Sequence, residues 1–500
     1  RLRIVVSVTC FSTWFCRTNF QMGTMKTSLP MKANQGRMLL SFGQKYSYGV
    51  GHVLNDLCAS MWFTYILIFY NKVLLFSEAL SGAILLVGQI ADGIATPFIG
   101  YFSDRGSDGS MCNYGRRKAW HLFGSICVVL SFPFIFSPCI GCAYSHQWAQ
   151  MIYYSGFVVI FQFGWAAVQI AHLALVSELT PDEHERTSLI ATRYSFTVIS
   201  NIIVYVIMWI VLSAAGGDYN AAIVPADMSK FQIVTYSVVA LGIVMTVIFH
   251  LGVDEKRQES LLEQTPEERQ VVPTRVKPYQ LFLDIKIYHV SMIYMTTRLF
   301  ANLSQTIFPL YLHDDLKLGG ENLATLPLVY YVSSFFITWV IKKMNKRLGR
   351  NIAFIIGAAI GVGVSIWVRF GEGEIYKTYL IYVVSALFGI SSSIMLVTSL
   401  GITADLIGVD NNNGAFIYGM MSLFDKVSNG GAVMAIQYWK CFPTCEQHYR
   451  DSLSYYCGVS SLVGILSVFF LAFCCRQPSP EETHIDAIAE PQDVSVPENA

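Results

Sequence analysis

Charge is scarce in this chain. Only 14% of its 500 residues are Asp, Glu, Lys or Arg, where a soluble protein carries about 25%. So few charges cannot cover a water-facing surface of this length. Polar helix faces are lacking too. Apolar stretches of about 20 residues recur along the chain, and too many are apolar all round to form a soluble helical core. Net charge is also absent: 34 basic residues balance 34 acidic ones, so no basic surface invites nucleic acid. No phosphate-cradling glycine loop, nucleophile–base pair or metal box occurs, which speaks against ATP drive, a cofactor, a bound metal and enzymatic catalysis.

What is present is a membrane pattern. Spans read at 44–70, 78–101, 119–142, 148–176, 190–215 and 230–252, then at 286–312, 323–344, 351–370, 376–404, 413–437 and 455–475. A polar stretch, 253–285, divides them into bundles 44–252 and 286–475. Residues 1–43 join no later pattern and read as a disordered leader or an extension upstream of a start at Met22, Met25 or Met31. Their basic start and short apolar run also imitate a signal peptide. The tail 476–500, rich in Pro and acids, reads as disordered. Lys and Arg concentrate in loops after the even-numbered spans, which predicts that both termini and the linker are cytosolic.

The halves echo each other. "GYFSDR" and "YGRRK" follow span 2, and "MNKRLGRN" follows span 8; "SELTPDE" follows span 4, and "ADLIGVD" follows span 10. Matching loops in both halves point to an internal repeat. Asp104, Arg105, Arg116, Arg117, Glu178 and Asp405 in these loops are candidates for a gate in which charges pair with one another and with helix ends, latching the two bundles. Arg193 is expected to pair with Glu178 at the cytosolic end; the alternative is that it joins the cavity.

Polar residues inside the spans carry the functional signal, because a charge at mid-helix costs about 2.5–3.5 kcal/mol on insertion scales. Span 1 holds His52 and Asp56 four apart with Asn55 beside them, and Asp56 lies ~18 Å in from residue 44, near the midplane. Span 2 holds Gln89, Asp92 and Thr96 on one stripe. Span 4 holds Gln169 and His172, span 7 holds Arg298, Asn302 and Gln305, and span 11 holds Asp425, Lys426 and Asn429. One reading is internal salt bridges that fix packing, with Asp425 neutralising its neighbour Lys426. The other is a wet central cavity with acids from the first half and bases from the second. A small zwitterion would then place its ammonium near Asp56 or Asp92 and its carboxylate near Arg298 or Lys426, with Asn55, Asn302 and Gln305 alongside. His52 and His172 could be neutral packing residues or proton carriers.

Twelve cysteines are present. Cys139 with Cys142, and Cys441 with Cys445, fall in non-cytosolic loops, where they can form local disulfides, a zinc site, or remain thiols. Cys58, Cys127 and Cys457 lie in apolar runs and read as small fillers.

Gly-x-x-x-Asp-Arg followed by Gly-Arg-Arg-Lys resembles the loop signature of the major facilitator superfamily. "YSYGVGHVLNDL", "GQIADGIATPFIGYFSDR" and "LVSELTPDEHER" resemble its cation symporters for glycosides, pentosides and hexuronides. The resemblance implies an all-α polytopic membrane protein of the major facilitator fold, with 12 transmembrane helices in two pseudo-symmetric six-helix bundles. It makes Asp56 the substrate acid and Asp92 a cation ligand. Thr96 stands where a second acid of helix 2 belongs, and Gln169 with His172 replaces the helix 4 acid. That departure disfavours Na⁺, which wants several anionic oxygens, and suits a proton carried by Asp92, His52 and His172.

A narrower branch of the superfamily is resembled in "RKAWHLFGSICVVLSFPFIFSPCIGC", "YMTTRLFANLSQT", "TSLGITADLIG" and "GAFIYGMMSLFDKVSNG", over about 44–475. It implies import of cysteine into lysosomes and melanosomes, linked to pigment chemistry, by a monomer. The rivals are a cation-coupled carrier of sugars or zwitterionic lysolipids, and a non-transporting sensor or scaffold.

Overall fold

The computed structural model describes residues 40–104, 114–142, 144–180, 182–213, 222–255, 285–407, 414–440 and 447–474. Twelve long helices run through them. They are α1 (Phe42–Val50, Val53–Ile68 and Phe69–Val73), α2 (Glu78–Asp104), α3 (Arg116–Ile135), α4 (Gln147–Leu179), α5 (Glu183–Ser213) and α6 (Met228–Gly252) in the first half. The second half has α7 (Ile285–Thr306, Phe308–Leu310 and Tyr311–Asp315), α8 (Asn322–Leu348), α9 (Arg350–Phe370), α10 (Tyr376–Leu380 and Ile381–Ile407), α11 (Gly414–Tyr438) and α12 (His448–Cys474). Ten candidate membrane spans satisfy length and apolarity among the described residues. The other two helices are α7 and α11, which carry Arg298, Asn302, Gln305, Asp425, Lys426 and Asn429. Their polarity is the reason they fall short.

Local chemistry sets the helix starts. Ser41 caps α1: its hydroxyl accepts from the Gln44 N–H at 3.3 Å, while Gln44 Oε1 accepts from the Ser41 N–H at 3.0 Å. Asp182 accepts the Glu185 N–H at 3.1 Å, so α5 begins seven residues before the apolar run suggests. In the same way α12 begins at His448 with two polar turns, ahead of the apolar stretch that marks residue 455. Helix α3 stops at Ile135, short of 142, because Pro133 and Pro138 bracket its end.

The two halves repeat in backbone detail. Helices α1 and α7 both end in a five-residue wide turn, Phe69–Val73 and Tyr311–Asp315. Each is followed by a leucine and then by a non-glycine residue in the left-handed region, Leu75 and Lys317, both with φ 57°. Lys72 and Asp314, 242 residues apart, occupy equivalent places in these turns and pair with each other at 2.7 Å. Across the seam between halves, α2 packs on α11, α5 on α8 and α1 on α7.

Helix α1 is interrupted at Gly51 and His52. A Cβ at Gly51 would lie 2.5 Å from the Phe249 ring and 2.8 Å from the His172 ring. Gly51→Ala is therefore expected to cost about 1–3 kcal/mol through overpacking. The midpoint of thermal unfolding in detergent should fall; an unchanged midpoint would contradict this packing.

Candidate substrate site

Two polar clusters lie midway along the spans. The first belongs to the first half. His52 Nδ1 lies 2.9 Å from Asp56 Oδ1, and Thr197 Oγ1 donates to Asp56 Oδ2 at 2.8 Å. Ser60 on α1 donates to the Asn201 amide oxygen, and Asn201 Nδ2 donates to the Thr197 carbonyl at 2.7 Å. Asn55 donates to the Trp165 carbonyl at 3.0 Å, and the Trp165 indole donates to Gln169 Oε1 at 3.0 Å. His172 Nε2 is 2.8 Å from the Tyr48 carbonyl that the α1 break leaves reachable.

The second cluster spans the seam. Asp92 Oδ1 lies 2.7 Å from Lys426 Nζ, joining α2 to α11. Lys426 also donates to Thr96 Oγ1 at 2.8 Å. Arg298 Nε donates to Asp425 Oδ2 at 3.1 Å. Asn429 Nδ2 donates to the Asp425 carbonyl at 2.9 Å and also to its carboxylate. Asp425 thus pairs with Arg298, and Lys426 with Asp92, rather than the two neighbours neutralising each other. Asp56 does not join this cluster; its oxygens are taken by His52 and Thr197.

The clusters are related by the internal repeat. Asp56 and Arg298 share the 242-residue spacing of Lys72 and Asp314. Asp56 is held by Thr197 of α5, and Arg298 by Asp425 of α11. Thr197 and Asp425 are each followed four residues later by an asparagine that bonds back to their carbonyl. The same scaffold position presents an acid from the first half and a base from the second. The Arg298 side chain is 35% exposed. Among the described residues only its Nε has a hydrogen-bond partner, so its two terminal amino groups remain to bind a further acceptor.

Towards the end away from the α2–α3 loop, the halves are tied together. Gln305 donates to Thr64 at 3.2 Å and to Tyr205 at 3.4 Å. Tyr65 donates to the Leu323 carbonyl at 3.1 Å, and the Trp209 indole to Glu321 at 2.8 Å. Lys72–Asp314, Lys440–Glu78 at 2.7 Å and Lys440–Asp314 at 3.4 Å close that end. Asn302 is half-buried on α7, one turn from Arg298.

Three of the gate candidates pair with one another, at the start of α3 and the end of α4. Arg117 Nε lies 2.8 Å from Glu178 Oε1, and Arg116 lies 3.5 Å from the same oxygen. Arg117 also donates to Ser103 at 2.9 Å. Glu255 accepts the Arg117 and Lys118 backbone N–H groups at 3.0 and 2.9 Å, at the positive end of α3. These partners lie in the first half and at the start of the linker, so the contacts described brace the first bundle. Burial is the largest influence on Glu255 and pushes its carboxyl up against the pull of those N–H groups. With Glu178 so occupied, Arg193 lies instead near Tyr48, His52 and His172, whose charge it influences. The side chains of Asp104, Arg105 and Asp405 lie outside the described residues, as do Cys441 and Cys445. Cys139 and Cys142 are brought together in the turn after α3, Cα–Cα 5.3 Å.

Comparison with known proteins agrees with this architecture. The family model described as MFS/sugar transport protein matches residues 47–439. The chain is similar to major facilitator superfamily domain-containing protein 12 of Homo sapiens, 44% identical over 459 residues, covering 88% of this chain and 94% of that one. It is also similar to an uncharacterised symporter of Synechocystis, 31% identical over 36% of this chain and 32% of the other. Among solved structures, the partially occluded inward-open xylose transporter XylE from E. coli superposes with a TM-score of 0.63 at 13% identity, over 87% of this chain and 99% of that one. The chain belongs to the major facilitator superfamily of membrane transporters and, within it, to the family of major facilitator superfamily domain-containing protein 12.

Proposed function

We propose that this transporter carries a small zwitterionic amino acid, cysteine, into lysosomes and melanosomes by alternating access. The observation that carries the reading is the repeat-related pair Asp56 and Arg298. A pseudo-symmetric fold that places an acid and a base at equivalent points offers one end of a zwitterion to each half. The solute carboxylate docks on the free amino groups of Arg298, with Asn302 and Gln305 beside it, and the ammonium turns towards Asp56 and Asn55. Lys426 and Asp92 join the seam in this state and part as bundles 44–252 and 286–475 rock. The linker and both termini face the cytosol, and the Cys139–Cys142 pair forms a lumenal disulfide. Asp56 with His52 takes up the coupling proton, since its carboxylate is bonded by His52 and Thr197 and by no second acid among the described residues, too few anionic oxygens for a metal cation.

Uptake of labelled cysteine into vesicles holding the purified protein tests this, with competing amino acids, a disaccharide and a lysolipid. Uptake that unlabelled cysteine suppresses, and that rises with an imposed proton gradient, supports the reading. Competition by the sugar or the lysolipid alone overturns it, and no uptake of any solute favours a sensor or scaffold.

A further inference from the structure

A row of histidines connects the α2–α3 loop end to Asp56. Tyr114 OH lies 2.7 Å from His250 Nδ1, and His250 Nε2 lies 3.1 Å from His121 Nδ1. His121 Nε2 lies 2.8 Å from the Gly51 carbonyl at the α1 break. The His121 ring is 5.9 Å from the His172 ring, which is 5.8 Å from the His52 ring, and His52 bonds Asp56. Four helices, α1, α3, α4 and α6, each contribute one imidazole.

The hydrogen positions follow from the partners. A carbonyl only accepts, so His121 and His172 carry hydrogen on Nε2. His121 Nδ1 is then an acceptor, His250 donates to it from Nε2, and His250 Nδ1 accepts from the Tyr114 hydroxyl. His52 donates from Nδ1 to Asp56. Two nitrogens remain, His172 Nδ1 and His52 Nε2, and both are buried with no hydrogen-bond partner. The rings are fully or almost fully buried, 0% and 4% exposed. Both orphans are lone pairs, so what joins them must bring two hydrogens. One water molecule does so, and it meets the requirement for several polar partners at a buried water site.

We propose that Tyr114, His250, His121 and His52 form a proton-conducting chain from the cytosolic face to Asp56, with a water held by His172 completing it. This inference rests on the proton coupling proposed above. A proton arriving at the Tyr114 oxygen releases the phenolic proton to His250 Nδ1. His250 passes its Nε2 proton to His121 Nδ1. His121, now protonated on both nitrogens, turns its Nε2–H from the Gly51 carbonyl to the water, which delivers one of its own hydrogens to His52 Nε2, and His52 hands its Nδ1 proton to Asp56. One proton enters, one is deposited, and no electron moves. Each ring then turns about its Cβ–Cγ bond to regain its first hydrogen-bonded arrangement, while the delivered proton stays at Asp56.

The charges facing the chain suit passage rather than storage. Lys118 donates to the His250 carbonyl at 3.1 Å, and Arg193 of α5 lies near His52 and His172; both repel a resident proton. Asp56 draws the proton inward. Asp254 and Glu255 lie near Lys118 at the mouth and offset its charge. Burial pushes the Tyr114 phenol up to about 12, so it remains a donor throughout the physiological range.

The test uses the full chain in vesicles carrying an internal pH dye. In the unaltered protein, cysteine addition should move protons with the solute. His250→Phe and Tyr114→Phe each break the chain without touching the solute site. Each is expected to slow cysteine-coupled proton movement at least tenfold, while cysteine-for-cysteine exchange, which needs no net proton transfer, stays within twofold. Proton movement at the unaltered rate in both variants overturns the route alone. Loss of exchange in both shows that the residues only support the fold and overturns it too. Cysteine transport without proton movement in the unaltered protein overturns the coupling and the route together.

Discussion

Arg298→Gln should reduce cysteine uptake about 100-fold or more. Truncating one partner of a buried charge pair costs about 2–5 kcal/mol, and each 1.4 kcal/mol is a factor of ten. The variant removes the base that holds the solute carboxylate, but it also strands Asp425, which is 3% exposed and 3.1 Å from Arg298. The two effects separate in the double variant Arg298→Gln/Asp425→Asn. It carries no unpaired charge and should regain thermal stability close to that of the unaltered protein, while uptake stays abolished. Arg298→Lys keeps the charge and loses the planar fork, so about a tenfold loss with a raised KM is expected. Uptake recovered in the neutral double variant would reduce Arg298 to a packing ion pair.

The architecture was legible because the bilayer imposes one period on every span. The exceptions are instructive. Helices α7 and α11 are too polar for a simple apolarity criterion, yet their charges stand at helical spacing and mark them as cavity walls. The first turns of α5 and α12 read as loop because Asp182, Glu183 and the stretch from His448 to Asp451 are polar; a capping carboxylate and membrane-edge charges belong to helices all the same. In the site, charged residues announce themselves in an apolar run, whereas Thr197 and Asn201 do not. Their significance lies in matching Asp425 and Asn429 in the other half, a correspondence that loop echoes cannot reveal. His121 and His250 sit near helix ends, where a histidine is unremarkable. Only the three-dimensional packing of α3 against α6 places their ring nitrogens 3.1 Å apart. Pairing partners are likewise set by packing: two acids and two bases at one depth permit several pairings, and the chain direction of α2 against α11 selects Asp92 with Lys426.

That seam pair should dominate stability as Arg298 dominates transport. Asp92 and Lys426 expose only 10% and 11% of their side chains, so neither charge is well solvated once its partner is gone. Lys426→Met should therefore destabilise by about 3–5 kcal/mol, because an uncompensated carboxylate remains where α2 packs on α11. Asp92→Leu should do comparable damage by stranding the ammonium, which would keep only the Thr96 hydroxyl and the residue 92 carbonyl at 3.5 Å. Joined in one chain, the two substitutions leave apolar groups of similar volume and should recover most of the loss, since a buried ion pair is often no more stable than a well-packed apolar replacement. Thermal unfolding of the four proteins in detergent reads this directly, and a double variant as unstable as the sum of the singles would refute direct pairing. Uptake then assigns the role: a stable double variant that still transports makes the pair a hinge pin, whereas a stable but inactive one makes its breaking and reforming part of the cycle. The second outcome is expected. Helices α2 and α11 come from opposite halves, and alternating access requires their contact to change.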